Sequence, residues 1–246
     1  MKSSYDVVIV GGAVIGSAVA YFLMANPDFK GSVLIVERDP FFAKASTSLS
    51  AASIRTQFSN AINVKISQFG SSVIRDFATT MQVAGEPAPE LNFHSGGYLF
   101  LAATPDQEQV LRENHAVQKS CGADVVLWNQ EELARAFPHL NVDDITLASY
   151  GQSGEGWFSN TGLMNGFRAK ARELGADYVH DEVVSIARDG AKVTSVTLKS
   201  GAVVKAGTIV NASGPRAALT ARMAGLDVPV EPRKRTLFVF DCAKTP

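Results

Sequence analysis

The residues best able to do chemistry are Gly11 and Gly16, close together near the start of the chain, and Glu37 about 20 residues beyond them. A glycine that ends a strand allows a tight turn, and one that opens a helix lets that helix press against a sheet. The helix start then offers free N–H groups and a positive dipole end to a pyrophosphate. An acid about 20 residues on can accept hydrogen bonds from a ribose diol. The chemistry implied is dinucleotide binding, with one departure: Ala13 stands where a second glycine usually lets the backbone meet phosphate. A second set is the hydroxyl run Ser46, Thr47, Ser48, Ser50 and Ser53, with Ala51 and Ala52 between. Such a loop can approach a ligand closely and offer several hydroxyl donors without bulk. A ligand extending past its adenosine half along a ribityl chain needs that kind of lining.

These residues sit where a βαβ unit puts them. Asp6 to Val10 is an apolar, β-branched run that reads as a buried parallel strand, Ala13 to Ala25 reads as a helix, and Ser32 to Val36 is a second strand ending on Glu37. Ile62, Ile66, Phe69, Val73 and Phe77 recur at helical spacing behind Ser59-Asn60, either of which can cap. From Gly85 the character shifts. Leu91 to His94 and Tyr98 to Leu101 around Ser95-Gly96-Gly97 read as a hairpin. Thr104 to Gln107 reads as a capping box that opens a helix to Ser120. Val125 to Trp128 reads as a strand, and Asn129 to Glu132 opens a short helix. Residues 85–150 are therefore an inserted α+β region. A helix over Ser159 to Leu174 follows, then short strands with turns at Asp189-Gly190 and Ser200-Gly201. Thr208 to Pro215 repeats the opening logic of strand, glycine and helix start, and Thr236 to Phe240 reads as a last strand.

Composition excludes several classes. The formal net charge of −1 leaves no electrostatic footprint for nucleic acid or an anionic membrane, and Arg233-Lys234-Arg235 reads as a solvated turn. No apolar stretch approaches the ~20 residues of a membrane span. Cys121 and Cys242 form no CxxC, so a reducing, cytoplasmic setting is expected and neither a disulfide framework nor a metal site is supported. No two of the four histidines have metal-ligand spacing; His94 reads as a satisfied structural residue.

Four segments taken together resemble the FAD-dependent oxidoreductases of the D-amino-acid oxidase type, the family of glycine oxidase, sarcosine oxidase and dimethylglycine dehydrogenase. They are Val7 to Gly16 with Glu37, Ser46 to Phe58, Gly154-Glu155-Gly156-Trp157 leading into the Leu163 helix, and Thr208 to Pro215. The resemblance implies an α/β fold: a Rossmann-like FAD-binding domain over 1–84 and 151–227, interleaved with an α+β substrate domain over 85–150 and 228–246. It implies that Gly11, Gly12, Ile15 and Gly16 hold the pyrophosphate and that Glu37 and Arg38 meet the adenosine ribose. Ser46, Thr47, Ser50, Ala51 and Ala52 would line the path to the flavin, Val183 would meet the adenine, and Ala212, Ser213 and Gly214 would pass close to the cofactor. Ser50 stands where dimethylglycine dehydrogenase-like members carry a histidine bonded to flavin, so FAD is expected to be non-covalent there. The implied reaction is oxidation of the C–N bond of an amino acid or secondary amine by hydride transfer to flavin. Arg55, after the hydroxyl loop, is the candidate catalytic residue, since its fork matches a substrate carboxylate; Gln57 is a weaker one. Members of the family continue beyond Pro246, so a C-terminally truncated chain is expected. Two other readings stay open: an FAD-binding assembly or interaction protein without turnover, and an NAD-dependent dehydrogenase, since the βαβ unit alone does not separate FAD from NAD.

Overall fold

A computed structural model describes residues 1–239, 241 and 243. In chain order its elements are Ser4–Val10 (β1), Val14–Ala25 (α1), Val33–Glu37 (β2), Ser53–Ile54 (β3), Ala61–Thr80 (α2), Tyr98–Ala102 (β4), Pro105–Ser120 (α3), Val125–Trp128 (β5), Gln130–Ala136 (α4), Leu147–Gly151 (β6), Gly156–Trp157 (β7), Asn160–Glu173 (α5), Asp177–His180 (β8), Val183–Asp189 (β9), Lys192–Leu198 (β10), Val203–Asn211 (β11) and Ala217–Met223 (α6). A 3-10 turn, Gly214–Arg216, leads into α6. The chain forms two units. The first comprises Met1–Ser50, Phe77–Leu91 and Ser159–Thr236; the second comprises Ala51–Asp76, Asn92–Phe158 and the described residues from Leu237 on. Residues 51–76 and 151–158 thus group apart from the opening strands, unlike the division expected from sequence. The reason is that β3 pairs with β7, through Ser53 with Trp157 and Ile54 with Gly156.

The first unit is built on a six-stranded sheet of order β8-β2-β1-β11-β10-β9. Its β8, β2, β1 and β11 run parallel. Parallel strands covered on both faces must be apolar throughout, and Val33–Glu37 is buried along its whole length. Alternate residues go to opposite faces. Val7, Ile9, Val33 and Ile35 pack against Ala20 of α1 and Ala171 of α5. Val8, Val10, Leu34 and Val36 pack against Val183, Ile186, Val196 and Leu198, so the antiparallel β9–β10 meander covers the other face. Val203–Asn211 is one strand that begins well before the Thr208 to Pro215 stretch read from sequence. It pairs antiparallel with β10 through Val203 to Lys205 and parallel with β1 from Lys205 on. Gly207 keeps the strand continuous, because a Cβ there would lie 2.9 Å from the Asp6 carbonyl.

The second unit carries an antiparallel sheet of order β4-β6-β5. The expected 91–94/98–101 hairpin does not form. Tyr98–Ala102 pairs instead with Leu147–Gly151, a strand without a clear sequence signal, and His94 makes an isolated bridge with Trp157. Asn60 caps the start of α2 by accepting from the Ile62 N–H at 3.0 Å. Thr104 caps α3, but the Gln107 side chain accepts from Ala103 N–H rather than from Thr104, so only half of the expected capping box is present. At α4 both halves of the Asn129/Glu132 box are made. Thr236 to Val239 form no strand, and Phe240 and Cys242 lie outside the described residues. Among the described residues no helix is long and apolar enough to cross a membrane.

Candidate cofactor site

A cavity of about 310 Å³ opens where β1, β2 and β11 of the first unit end. That is at the lower end of small-molecule sites, roughly 300–1,000 Å³, and suits one part of a dinucleotide. The turn after β1 is set by steric fit. Gly11 has φ +103°, and a Cβ on it would lie 2.5 Å from the Ala212 carbonyl. The two strand-to-helix turns therefore touch, and Ala212 N–H donates to the Val10 carbonyl at 2.9 Å. Gly16 is forced too, since a Cβ there would collide with the Gly11 carbonyl. Ala13, the helix N-cap, has φ −68°, an angle any residue adopts, so its methyl strains nothing. It lines the cavity.

Glu37 is the electrostatic anchor. Its buried carboxylate accepts from Gly12 N–H at 2.7 Å through Oε2 and from Asp39 N–H at 2.8 Å through Oε1. A carboxylate has about four acceptor positions, so each oxygen keeps one for a ligand hydroxyl. Behind the loop, Ser17 Oγ donates to the Gly12 carbonyl at 2.7 Å. The Tyr178 ring fills the space beside Gly12, where a Cβ would meet its hydroxyl at 2.5 Å. Among the described residues that buried hydroxyl makes no well-formed hydrogen bond, although the Arg168 guanidinium lies close enough to act on it. Burial, reinforced by the Glu37 charge, pushes the phenol well above its ordinary value of 10.0, so it stays neutral.

The hydroxyl loop meets the helix start at one residue: Thr47 Oγ1 accepts from Val14 N–H at 3.3 Å. Asn160, at the start of α5, donates to the Thr47 carbonyl at 2.6 Å and the Ser50 carbonyl at 2.9 Å, fixing the loop. On the opposite wall Glu182 Oε1 receives Arg216 at 2.8 Å and lies 3.8 Å from Arg38. Ser213 Oγ donates to Asn211 Oδ1 at 2.6 Å and shares a hydrogen bond with Thr220 at 2.8 Å.

Of the residues singled out by sequence, Gly11, Ile15, Glu37, Arg38, Ser46, Thr47, Val183, Ala212, Ser213 and Gly214 line this cavity together. Gly12 and Gly16 are not in its lining; they shape the turn behind it. Ser50 lies outside the lining as well, and Ala51, Ala52 and Arg55 belong to the second unit. Sequence reasoning did not single out Asp39, Glu182, Arg216 and Thr220. Pro215-Arg216 directly continues the Ala212–Gly214 turn and could have been read from it. Glu182 follows no motif.

In the second unit the Arg55 guanidinium lies over three rings, with centroids at 4.8 Å for Phe58, 5.2 Å for Tyr98 and 5.7 Å for Phe100. Its Nε is buried and has no hydrogen-bond partner among the described residues. His94 stacks on Trp157 at 5.3 Å, in keeping with a structural role. Among the described residues no group of three or more His, Cys, Asp or Glu could hold a metal.

The cradle fits the adenosine diphosphate end of FAD: a turn with no room for a side chain, a helix start facing the cavity and a carboxylate with spare acceptors. The chain as a whole is similar to known proteins. The FAD-dependent oxidoreductase domain-containing protein 1 of Xenopus laevis is 36% identical over 98% of this chain and 54% of its own length. The sarcosine oxidase subunit beta of an Arthrobacter species is 28% identical over 94% of the chain and 56% of its own length. The chain thus spans about half the length of the curated relatives it matches. Among solved structures, L-proline dehydrogenase from P. horikoshii superposes with a TM-score of 0.79 at 24% identity, over 92% of this chain and 57% of that one. Glycine oxidase from Geobacillus kaustophilus gives 0.74 at 23% identity, over 92% of this chain and 60% of that one. At such identities these structures show the shared fold alone. The family described as FAD dependent oxidoreductase (DAO) matches residues 6–246, and this chain belongs to it.

Proposed function

We propose that the chain binds FAD without a covalent bond at Ser50 and serves the oxidation of the C–N bond of an amino acid or secondary amine. The observation that carries the reading is the Glu37–Gly12 tie beneath the cavity, which holds the glycine turn and keeps acceptors free for a ribose. Bound FAD supplies the electron acceptor for removing two electrons from the carbon beside the amine nitrogen. Everything else falls to the chain. Gly11 with the start of α1 holds the pyrophosphate, with Gly12 and Gly16 shaping the turn behind it and Ile15 bordering it. Glu37 takes the ribose hydroxyls, and Arg38 and Val183 border the adenosine. Ser46 and Thr47 with Ala212, Ser213 and Gly214 close round the chain of the cofactor. Flavin-side roles for Ser50, Ala51 and Ala52 rest on the family likeness. Arg55 is assigned to the substrate carboxylate, because its charge lies over ring faces and, among the described residues, forms no ion pair with an acid, which leaves its fork for an incoming carboxylate. A cytoplasmic setting belongs to the same proposal.

The test is the visible spectrum of the purified protein, followed by anaerobic addition of glycine, sarcosine, dimethylglycine and proline in turn. A yellow protein whose flavin is released by denaturation and bleached by one of these amines supports the reading. A colourless protein that takes up no FAD overturns it. Flavin that stays oxidised with every amine leaves an FAD-binding protein without this turnover.

A further inference from the structure

Glu155 has no exposed surface, and among the described residues no Lys, Arg or His forms an ion pair with it. A buried, unpaired carboxylate is costly unless hydrogen bonds replace its water. Among the described residues, those that reach its oxygens come from two consecutive residues far away in sequence. Oε1 accepts from Thr56 N–H at 2.7 Å and from Thr56 Oγ1 at 2.6 Å, and Oε2 accepts from Gln57 Nε2 at 3.0 Å. Gly151 leaves room for the carboxylate, since a Cβ there would collide with it. The network continues into the second unit's sheet. Gln57 Nε2 also donates to the Tyr98 carbonyl at 2.7 Å, and Gln57 Oε1 accepts from Ser149 Oγ at 2.7 Å. Thr56 directly follows Arg55, and Tyr98 supplies one of the three rings under the Arg55 guanidinium.

We infer that Glu155 is a positioning residue for Arg55. Its carboxylate pins the backbone at Thr56 and, through Gln57, ties that segment to Tyr98, so the guanidinium is presented in one orientation to the carboxylate of an amino-acid substrate. An apolar residue or amide at 155 would fill the space without the cost of burying a charge. The charge is justified by three short bonds that fix one loop. This inference rests on the substrate-side role assigned to Arg55 above.

The test uses the full chain loaded with FAD and compares wild type with Glu155→Gln. Thr56→Val is the second variant; it removes one of the three donors and keeps the packing. The first readout is the rate at which phenylglyoxal modifies Arg55, followed by peptide mapping well below each variant's melting temperature. Loosening the clamp is expected to raise that rate about fivefold in Glu155→Gln, with a smaller rise in Thr56→Val. The second readout compares a carboxylated amine with a matched amine lacking the carboxylate. The apparent KM for the first should rise about tenfold with kcat nearly unchanged, and that for the second should hold. A purely structural role would move both amines alike. Equal labelling rates in wild type and both variants, or equal KM changes for the two amines, overturn the inference. If no amine reduces the wild-type flavin, the amine-oxidation reading fails, and the labelling rates still decide whether Glu155 positions Arg55.

Discussion

Replacing Glu37 by Gln tests the cofactor site at its centre. The native carboxylate takes one backbone N–H on each oxygen, Gly12 at 2.7 Å and Asp39 at 2.8 Å. An amide has a single acceptor oxygen, so it can satisfy one of these and must turn its own NH2 toward the other. A hydrogen bond to a charged group contributes about 1.5–3 kcal/mol, and a stranded buried N–H adds a comparable penalty, so a loss of about 2–4 kcal/mol is expected. For a chain of this size each kcal/mol moves the melting temperature by about 2–4 °C, so the cofactor-free protein should melt about 5–15 °C lower. FAD should bind about a hundredfold more weakly, since 1.4 kcal/mol is tenfold and both the turn and the ribose acceptors are affected. Titrating the apoprotein into FAD and following flavin fluorescence gives the affinity; circular dichroism gives the melt. Binding within about threefold of wild type would refute the ribose assignment even if the melt fell. An unchanged melt as well would mean the Glu37–Gly12 bond does not hold the turn.

Gly16→Ala should yield protein that melts lower by several degrees and is isolated without flavin, because the added methyl meets the Gly11 carbonyl and cannot be relieved by a side-chain rotation. Wild-type flavin content and melting temperature in that variant would show that α1 can move back at little cost. Tyr178→Phe should raise the melting temperature by about 2–5 °C, since it deletes a buried hydroxyl that makes no well-formed hydrogen bond among the described residues and has only the Arg168 guanidinium near it. A fall of similar size would reveal a hydrogen bond made by that hydroxyl. The same variant has a pH signature. The folded phenol is held above its ordinary 10.0, so the unfolded chain ionises first and wild type loses stability as the pH rises past 10. The Phe variant should lose less over that alkaline range.

The turn that lines the candidate cofactor cavity was legible because its signals are local and steric. Gly11, Gly16 and Glu37 are fixed by what a turn, a helix contact and a strand end demand, and the structure places Gly11 and Glu37 in one cavity with Gly16 behind. Thr47 could be placed only as part of a hydroxyl loop; that it receives the α1 N–H depends on Asn160, more than 100 residues on. The second unit was less legible. Leu147–Gly151 is its central strand, yet a run of Leu, Ala, Ser, Tyr and Gly has neither alternation nor β-branched residues, so the neighbouring apolar segments suggested a hairpin that does not form. The helix over Ala61–Thr80 was read from Ile62, Ile66, Phe69, Val73 and Phe77, and the helix is there. Phe77 of that series is buried, but Ile62, Ile66 and Phe69 stay exposed while Val64, outside the series, is buried, so periodicity gave the element and only part of the face it buries. Glu155 stands inside a motif read only as a family mark. Nothing in the letters says that its carboxylate turns toward residues 56 and 57.

The chemistry assigned to the chain divides along its two units. Every lining residue of the cavity that fits the adenosine diphosphate comes from the first unit, while Arg55 and the three groups that bond to Glu155 belong to the second. Affinity for FAD and selectivity for a substrate carboxylate should therefore respond to different substitutions. Glu37→Gln should weaken flavin binding and, once saturated with FAD, discriminate between carboxylated and plain amines as wild type does. Glu155→Gln should do the reverse, holding flavin with normal affinity while losing that discrimination. Sites with no shared partners contribute nearly additively, so the double variant should show both losses at their single-variant size. A large departure from additivity in FAD affinity would mean that Glu155 acts on the cofactor directly, and the positioning role argued for it would then have to be given up.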